Sequence, residues 1–283
     1  MWIIILILLF LGGCTVSKTH NLFEGEFVVK HGGIYTYAHY YEHPESKQKV
    51  IVVGMNHGGD KEYFEKIAKI LEGAEVVLYE GVPPGQEETA EEIEKETRED
   101  LQKLASEDVD EAFYTAMKSY FQKASKYLHL VGESSAFDYS KTGWESGDAE
   151  FFVKLKNDEK LQKFMAERQN DLAKLTPERK KAVVEFVRKA LKNIEDGRFT
   201  KKDFGDGFIF FWSDQVLVNI FLDALGKPRD EMVMERFDRI ISEKNPRTVG
   251  IEFGAAHTAY QRKLLEQRGY ILKRSVELRN ITF

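Results

Sequence analysis

Two histidines stand at the same spacing behind a glycine, each just past a short apolar run. V-I-V-V-G-M-N-H closes on His57, and T-V-G-I-E-F-G-A-A-H closes on His257. Both runs are rich in β-branched residues, the pattern of a strand covered on both faces. A third run, E-V-V-L-Y at 75–79, ends in Glu80 and Gly81, and Y-L-H-L-V at 127–131 reads as a fourth strand ending in Gly132 and Glu133. In an open parallel sheet, ligands gather beyond the carboxyl ends of the strands. These ends would present two imidazoles and up to two carboxylates at one sheet edge. Such a set suits Zn, Mn, Fe or Co and leaves positions open for water. Adjacent glycines let the backbone turn sharply and bring the groups together. Glu80 and Glu133 each have a second reading as caps of helix amino termini. His20, His31, His39, His43 and His129 lack this context and read as loop residues or satisfied core groups.

The elements that must hold these groups can be read in outline. Residues 25–30 and 34–41 form a hairpin about H-G-G, where glycine accepts positive φ. Asp60 stands at the cap position of a helix whose apolar residues Phe64, Ile67, Ala68, Ile70 and Leu71 recur at helical spacing. Residues 51–80 therefore read as a β-α-β unit with parallel pairing. After Pro83-Pro84-Gly85 an acidic stretch (87–100) reads as a solvated helix face, and helical periodicity continues to about 126. From about 148 to 243 nearly everything is helical in period, including a very apolar piece at 208–223 that reads as a buried core helix. Strand signal returns at 248–253, a helix follows near 258–268, and Y-I-L-K-R-S-V-E-L is a last strand. The expectation is an α/β body at 23–283, with a central mixed, largely parallel sheet built from both chain ends and a largely helical insertion at about 85–245.

Composition bounds the partners. The chain has 283 residues, 31% of them charged, and a net charge of −6. Without blocks of Lys and Arg it lacks the concentrated positive charge that binding nucleic acid needs. Its single cysteine, Cys14, excludes an internal disulfide and a cysteine-based metal cluster. Residues 2–11, W-I-I-I-L-I-L-L-F-L, are fewer than the about 20 apolar residues of a membrane span and suit the core of a signal peptide. The run ends in Leu11-Gly12-Gly13-Cys14, which resembles the lipobox of bacterial lipoproteins, although the leader carries no Lys or Arg. That resemblance implies removal of 1–13, lipidation of Cys14 and a tether at 14–22. The body would then be membrane-anchored in the cell envelope, outside the cytoplasm.

The order strand–G-x-x-H–helix–strand–Glu, then a distant Arg, then strand–G-x-x-H–helix–Gly-Tyr–strand resembles the TraB/TIKI family, which includes the PrgY and GumN proteins. V-V-G-M-N-H-G-G, A-E-V-V-L-Y-E-G-V, L-H-L-V-G-E-S-S, K-P-R-D-E-M-V-M-E-R-F and V-G-I-E-F-G-A-A-H-T-A-Y-Q-R-K-L-L-E-Q-R-G-Y-I-L carry the likeness, over roughly half the chain. Asn56 stands where the family usually has Thr or a small residue, and Val131-Gly132-Glu133 where it tends to have Gly-Leu-Glu. The resemblance implies a fold shared with erythromycin-esterase-like and haem-binding ChaN-like proteins. It also implies a metal-dependent hydrolase of peptide or other amide or ester bonds, with His57, His257 and Glu80 on the metal. Glu80 or Glu133 would act as base, and Arg229 would face an anionic group or oxyanion. The competing expectation is a non-catalytic lipoprotein that binds haem or iron through a histidine or tyrosine.

Overall fold

The computed structural model describes residues 19–81, 90–159, 162–163, 175–213, 218–219, 222 and 226–283. The leader, Cys14, most of the tether, Pro83-Pro84-Gly85, Asp214, Gln215 and Asp223 lie outside the described residues. In chain order the elements are β1 (His20–Leu22), β2 (Phe27–Lys30), β3 (Gly33–Glu42), β4 (Lys49–Met55), β5 (Gly58–Gly59), α1 (Lys61–Leu71) and β6 (Val76–Tyr79). Then come α2 (Ala90–Lys103), α3 (Val109–Tyr127), β7 (Val131–Gly132), α4 (Glu133–Ala136), β8 (Trp144–Ser146), α5 (Ala149–Asn157), α6 (Pro177–Glu195) and α7 (Lys201–Trp212). The chain closes with α8 (Lys227–Lys244), β9 (Thr248–Gly254), α9 (Ala255–Gln267) and β10 (Ile271–Thr282).

The expected α/β architecture is present: a mixed sheet drawn from both chain ends, in the order β1-β2-β3-β4-β9-β6-β8, with β10 on the other edge of β3. Pairing is parallel from β4 through β9 and β6 to β8, and antiparallel elsewhere. Alternation along the strands sorts the core into two layers. Val50, Val52, Val76, Leu78, Val249, Ile251 and Phe253 pack under α8 and α9 against Val233, Phe237, Ile240 and Leu265. Ile51, Val53 and Val77 pack on the opposite face against Tyr63, Phe64, Ile67 and Leu71 of α1. A third cluster joins α3, α6 and α7 through Phe113, Tyr120, Val187, Leu191, Phe204, Phe208 and Phe211, and includes Phe27 and Val29 of β2. Within the 208–223 stretch Phe208, Phe211 and Val218 are buried, whereas Ser213 and Asn219 are exposed.

Four local expectations need correction. β4 and β6 do not pair; β9 lies between them, so the last third of the chain completes the first crossover. Residues 127–131 are not a strand. The buried stripe Phe113, Ala116, Tyr120, Ala124 carries α3 on to Tyr127, and His129 breaks it at φ 52°, leaving only Val131–Gly132 to pair with β5. Tertiary packing of the helix face overrides the strand propensity of the local run. The region assigned to a helical insertion also contributes β8, a three-residue strand too short to show a period. Asp60 sits at the N-cap of α1 without capping it. Its carboxylate instead takes Lys201 Nζ at 2.5 Å and the Thr282 N–H at 2.9 Å, tying α7 and β10 to the start of α1.

Candidate metal centre

Because β4, β9 and β6 run parallel, their carboxyl ends open at one edge, and the chain there delivers His57, Glu80 and, in the first turn of α9, His257. Glu80 is the hub. Its Oε2 accepts from the Gly254 N–H at 2.8 Å and lies 3.6 Å from His57 Nε2. Its Oε1 accepts from Arg229 Nη2 at 2.7 Å and lies 3.8 Å from His257 Nε2. Both motif glycines lie at close approaches, tight at Gly254 and excluding a side chain at Gly54. A Cβ on Gly254 would stand 3.1 Å from His57 Nε2, and one on Gly54 would meet Thr258 Oγ1 at 2.4 Å.

Each ring is held from behind by its own carboxylate. His57 Nδ1 bonds Glu133, whose other oxygen accepts from Tyr139 Oη at 2.5 Å. The short β5–β7 ladder enforces this: Gly58 pairs with Gly132, and the Glu133 N–H donates to the His57 carbonyl at 3.0 Å. Glu133 does open α4, but its side chain makes no cap. It serves the histidine instead. His257 Nδ1 faces Asp230 Oδ1 at 3.0 Å, which also accepts from Gln261 Nε2 at 2.8 Å. Arg229, beside Asp230 in the first turn of α8, bridges Glu80 to buried Asp148. The structure therefore brings together all five site residues read from the sequence. It adds Asp148, Asp230, Tyr139 and Glu252.

Glu252 is the unusual one. It faces the α1 side of β9, between Val53 of β4 and Tyr79 of β6; it is fully buried, and neither carboxylate oxygen has a hydrogen-bond partner. Burial, and then the charges of Glu133 and Glu80, push its carboxyl well above the usual range, so it sits as the neutral acid. A charged residue in a strand otherwise covered on both faces was the signal available in I-E-F.

Charge in the site is shared around Glu80. Burial opposes ionisation of Glu80, but His57, His257, Arg229 and the Gly254 N–H outweigh it and hold the carboxyl down at about 2. Burial likewise disfavours a charged His57, yet the Glu133 hydrogen bond and the Glu80 and Glu133 charges raise it to about 9. Burial also lowers His257, and Asp230 with Glu80 more than compensates, so its pKa is raised.

Does this set fit a metal? A histidine bound through Nε2 keeps its proton on Nδ1, which needs an acceptor, commonly a carboxylate. Glu133 and Asp230 are those acceptors, and both Nε2 atoms are left facing Glu80. Donor type and ring orientation fit a divalent ion. The spacing is looser: the rings face different oxygens of Glu80, His57 Nε2 at 3.6 Å from Oε2 and His257 Nε2 at 3.8 Å from Oε1, whereas a tetrahedral zinc sets its ligand atoms about 3.3 Å apart. Among the described residues no group of three or more His, Cys, Asp or Glu side chains is placed to hold a metal ion. Binding one here would require both rings to shed their extra proton and the side chains to rearrange. Access is from the His57 side, whose side chain is 45% exposed against 4% for His257 and 7% for Glu80. Comparison with family models, curated proteins and solved structures returns no match.

Proposed function

We propose that the chain is a metal-dependent hydrolase of peptide or other amide or ester bonds, of the TraB/TIKI type, anchored through Cys14 outside the cytoplasm. One observation carries the reading: two imidazoles turn their Nε2 atoms onto one ionised carboxylate while a separate carboxylate grips each Nδ1. His57, His257 and Glu80 would hold the ion. A divalent metal such as Mn, Co, Zn or Fe supplies Lewis acidity, polarising a carbonyl and bringing the pKa of a bound water toward neutrality. Glu80, kept ionised, would take the proton if it stands beside the ion rather than on it. Glu133 and Asp230 orient the imidazoles. Arg229, engaged by Glu80 and Asp148 and 11% exposed, fixes the hub rather than reaching for substrate.

The test is metal analysis of protein purified without chelators, followed by peptide-library cleavage with Mn, Co or Zn supplied. Wild type should carry an ion and cleave. His57→Ala and His257→Ala should each lose the metal while keeping their helix content. Glu80→Gln should lose hydrolysis by ~10²–10⁴-fold. Metal content at the wild-type level in either histidine variant would remove the shared site, and a wild type that cleaves nothing with metal supplied would end the hydrolase reading. Haem titration then measures the competing one. Mass spectrometry showing no acyl chain on Cys14 would refute the anchor.

A further inference from the structure

A second constellation lies on the antiparallel half of the sheet, away from Glu80. His39 of β3 stands directly opposite Ser275 of β10 in the ladder. Its Nδ1 is 2.8 Å from Ser275 Oγ, and its Nε2 is 2.6 Å from Glu26 Oε2. Glu26 and His39 are buried, at 2% and 4% exposure, whereas Ser275 is exposed. Arg262 of α9 holds the other Glu26 oxygen, and the Tyr37 ring stacks on the imidazole at 6.0 Å. From the sequence His39 reads as a loop residue or a satisfied core group.

We infer that Ser275, His39 and Glu26 form a second, nucleophilic site that takes up acyl groups from activated esters. A carboxylate can only accept hydrogen bonds, so Nε2 facing Glu26 carries the ring proton. Neutral His39 then has its lone pair at Nδ1, and the Ser275 hydroxyl donates to it. This is the nucleophile–base–orienter relation of acyl-transfer enzymes, recognised by roles and geometry rather than by chain order. The ring is used the other way round from the usual case, with Nδ1 toward the serine.

The step balances without a further reactant. Ser275 Oγ bonds to the ester carbonyl carbon as its proton passes to His39 Nδ1. The carbon–oxygen bond to the leaving group breaks, and that proton goes to the departing oxygen. Water then attacks the acyl-serine, giving its proton to Nδ1 and from there to Ser275 Oγ, which releases the acid. The hydroxyl stands on an open edge strand, so the substrates it suits are electrophilic acyl donors with good leaving groups, such as aryl esters. Substrates needing a deep binding cleft do not suit it.

The experiment uses the full chain in EDTA, which separates this site from the proposed metal centre. The protein is treated with a fluorophosphonate and with an aryl acetate, and the adduct is mapped by mass spectrometry. Wild type should label once, on Ser275, and Ser275→Ala, a change at an exposed position, should not label. His39→Gln, checked for native circular dichroism, should label ~10²–10⁴-fold more slowly, and Glu26→Gln should fall between it and wild type. Should His39→Gln not fold, Glu26→Gln decides, because in the native fold it must label more slowly than wild type. An unlabelled wild type, an adduct elsewhere, or a folded His39→Gln or Glu26→Gln labelling at the wild-type rate would each overturn the site and leave the network as a brace between β3, β10 and α9.

Discussion

Glu252→Gln should stabilise the protein, by an amount that grows with pH. Glu252 is fully buried, both its oxygens are without partners, and its carboxyl is pushed well above the usual range by burial and then by Glu133 and Glu80. The native state therefore keeps a proton that the unfolded chain, with a carboxyl near about 4.3, gives up. Below that value both states bind the proton and the group carries no pH dependence. Above it the native state binds more protons than the unfolded one, so stability falls as pH rises, until the native carboxyl itself ionises. The slope is at most ~1.4 kcal/mol per pH unit, which allows up to ~2.7 kcal/mol between pH 5 and 7. Gln has nearly the same shape and does not titrate, so its curve lacks this slope. It keeps an unpartnered buried amide, so the two proteins should be close in stability near pH 4.5. Leu has no polar atoms to leave unpaired and should gain a further ~1–3 kcal/mol at every pH. Titrating groups apart from Glu80 and Glu133, which act on Glu252 directly, cancel in the difference curve. Urea unfolding of wild type and Glu252→Gln at half-unit intervals from pH 4.5 to 8 is the assay. A difference that stays flat within ~0.5 kcal/mol across that range would refute the assignment of Glu252 as a buried neutral acid.

Without metal, the His57 ring should titrate by NMR at about 9, and Glu133→Gln should bring it back toward the reference value of about 6.5. Because the native value is the higher one, the stability His57 contributes is complete below pH 6.5 and is lost as pH rises through about 9. Gly254→Ala should cut metal affinity with little loss of stability, since its new Cβ would stand 3.1 Å from His57 Nε2 at the exposed edge; unchanged affinity by calorimetry would show that the ring has room to move. Gly54→Ala should cost ~1–3 kcal/mol through its clash with Thr258 Oγ1, and Thr258→Ala in the same chain should recover part of it, as a double-mutant cycle in denaturant would show.

What the sequence made legible is the part of the site that is local. A buried strand, a glycine and a histidine three residues later are contiguous, and strand direction alone carries His57, Glu80 and His257 to one edge. The α1 stripe and the hairpin of β2 and β3 are legible for the same reason: their periods repeat within a dozen residues. The errors fall where the deciding partner is distant. Y-L-H-L-V has the composition of a strand, and what makes its start helical is the packing of α3 against α6 and α7. β9 enters between β4 and β6 because β4 and β6 each offer it an edge, a fact about three segments at once.

The carboxylates behind the histidines show the same limit most sharply. Asp230 reaches His257 across 27 residues and Glu133 reaches His57 across 76, so no spacing could reveal either pair. Yet these contacts decide what the rings can do. They put a proton on each Nδ1 and leave Nε2 to face Glu80, fixing the orientation of both rings. Glu133 shows why residue type alone was ambiguous. As the first residue of α4 it satisfies the statistics of a helix start, and only the two-residue ladder between β5 and β7 turns its side chain away from the helix and onto the imidazole. The first layer of the site is written along the chain; the second exists only once the sheet has formed, which is why the donor set could be named in advance and its geometry could not.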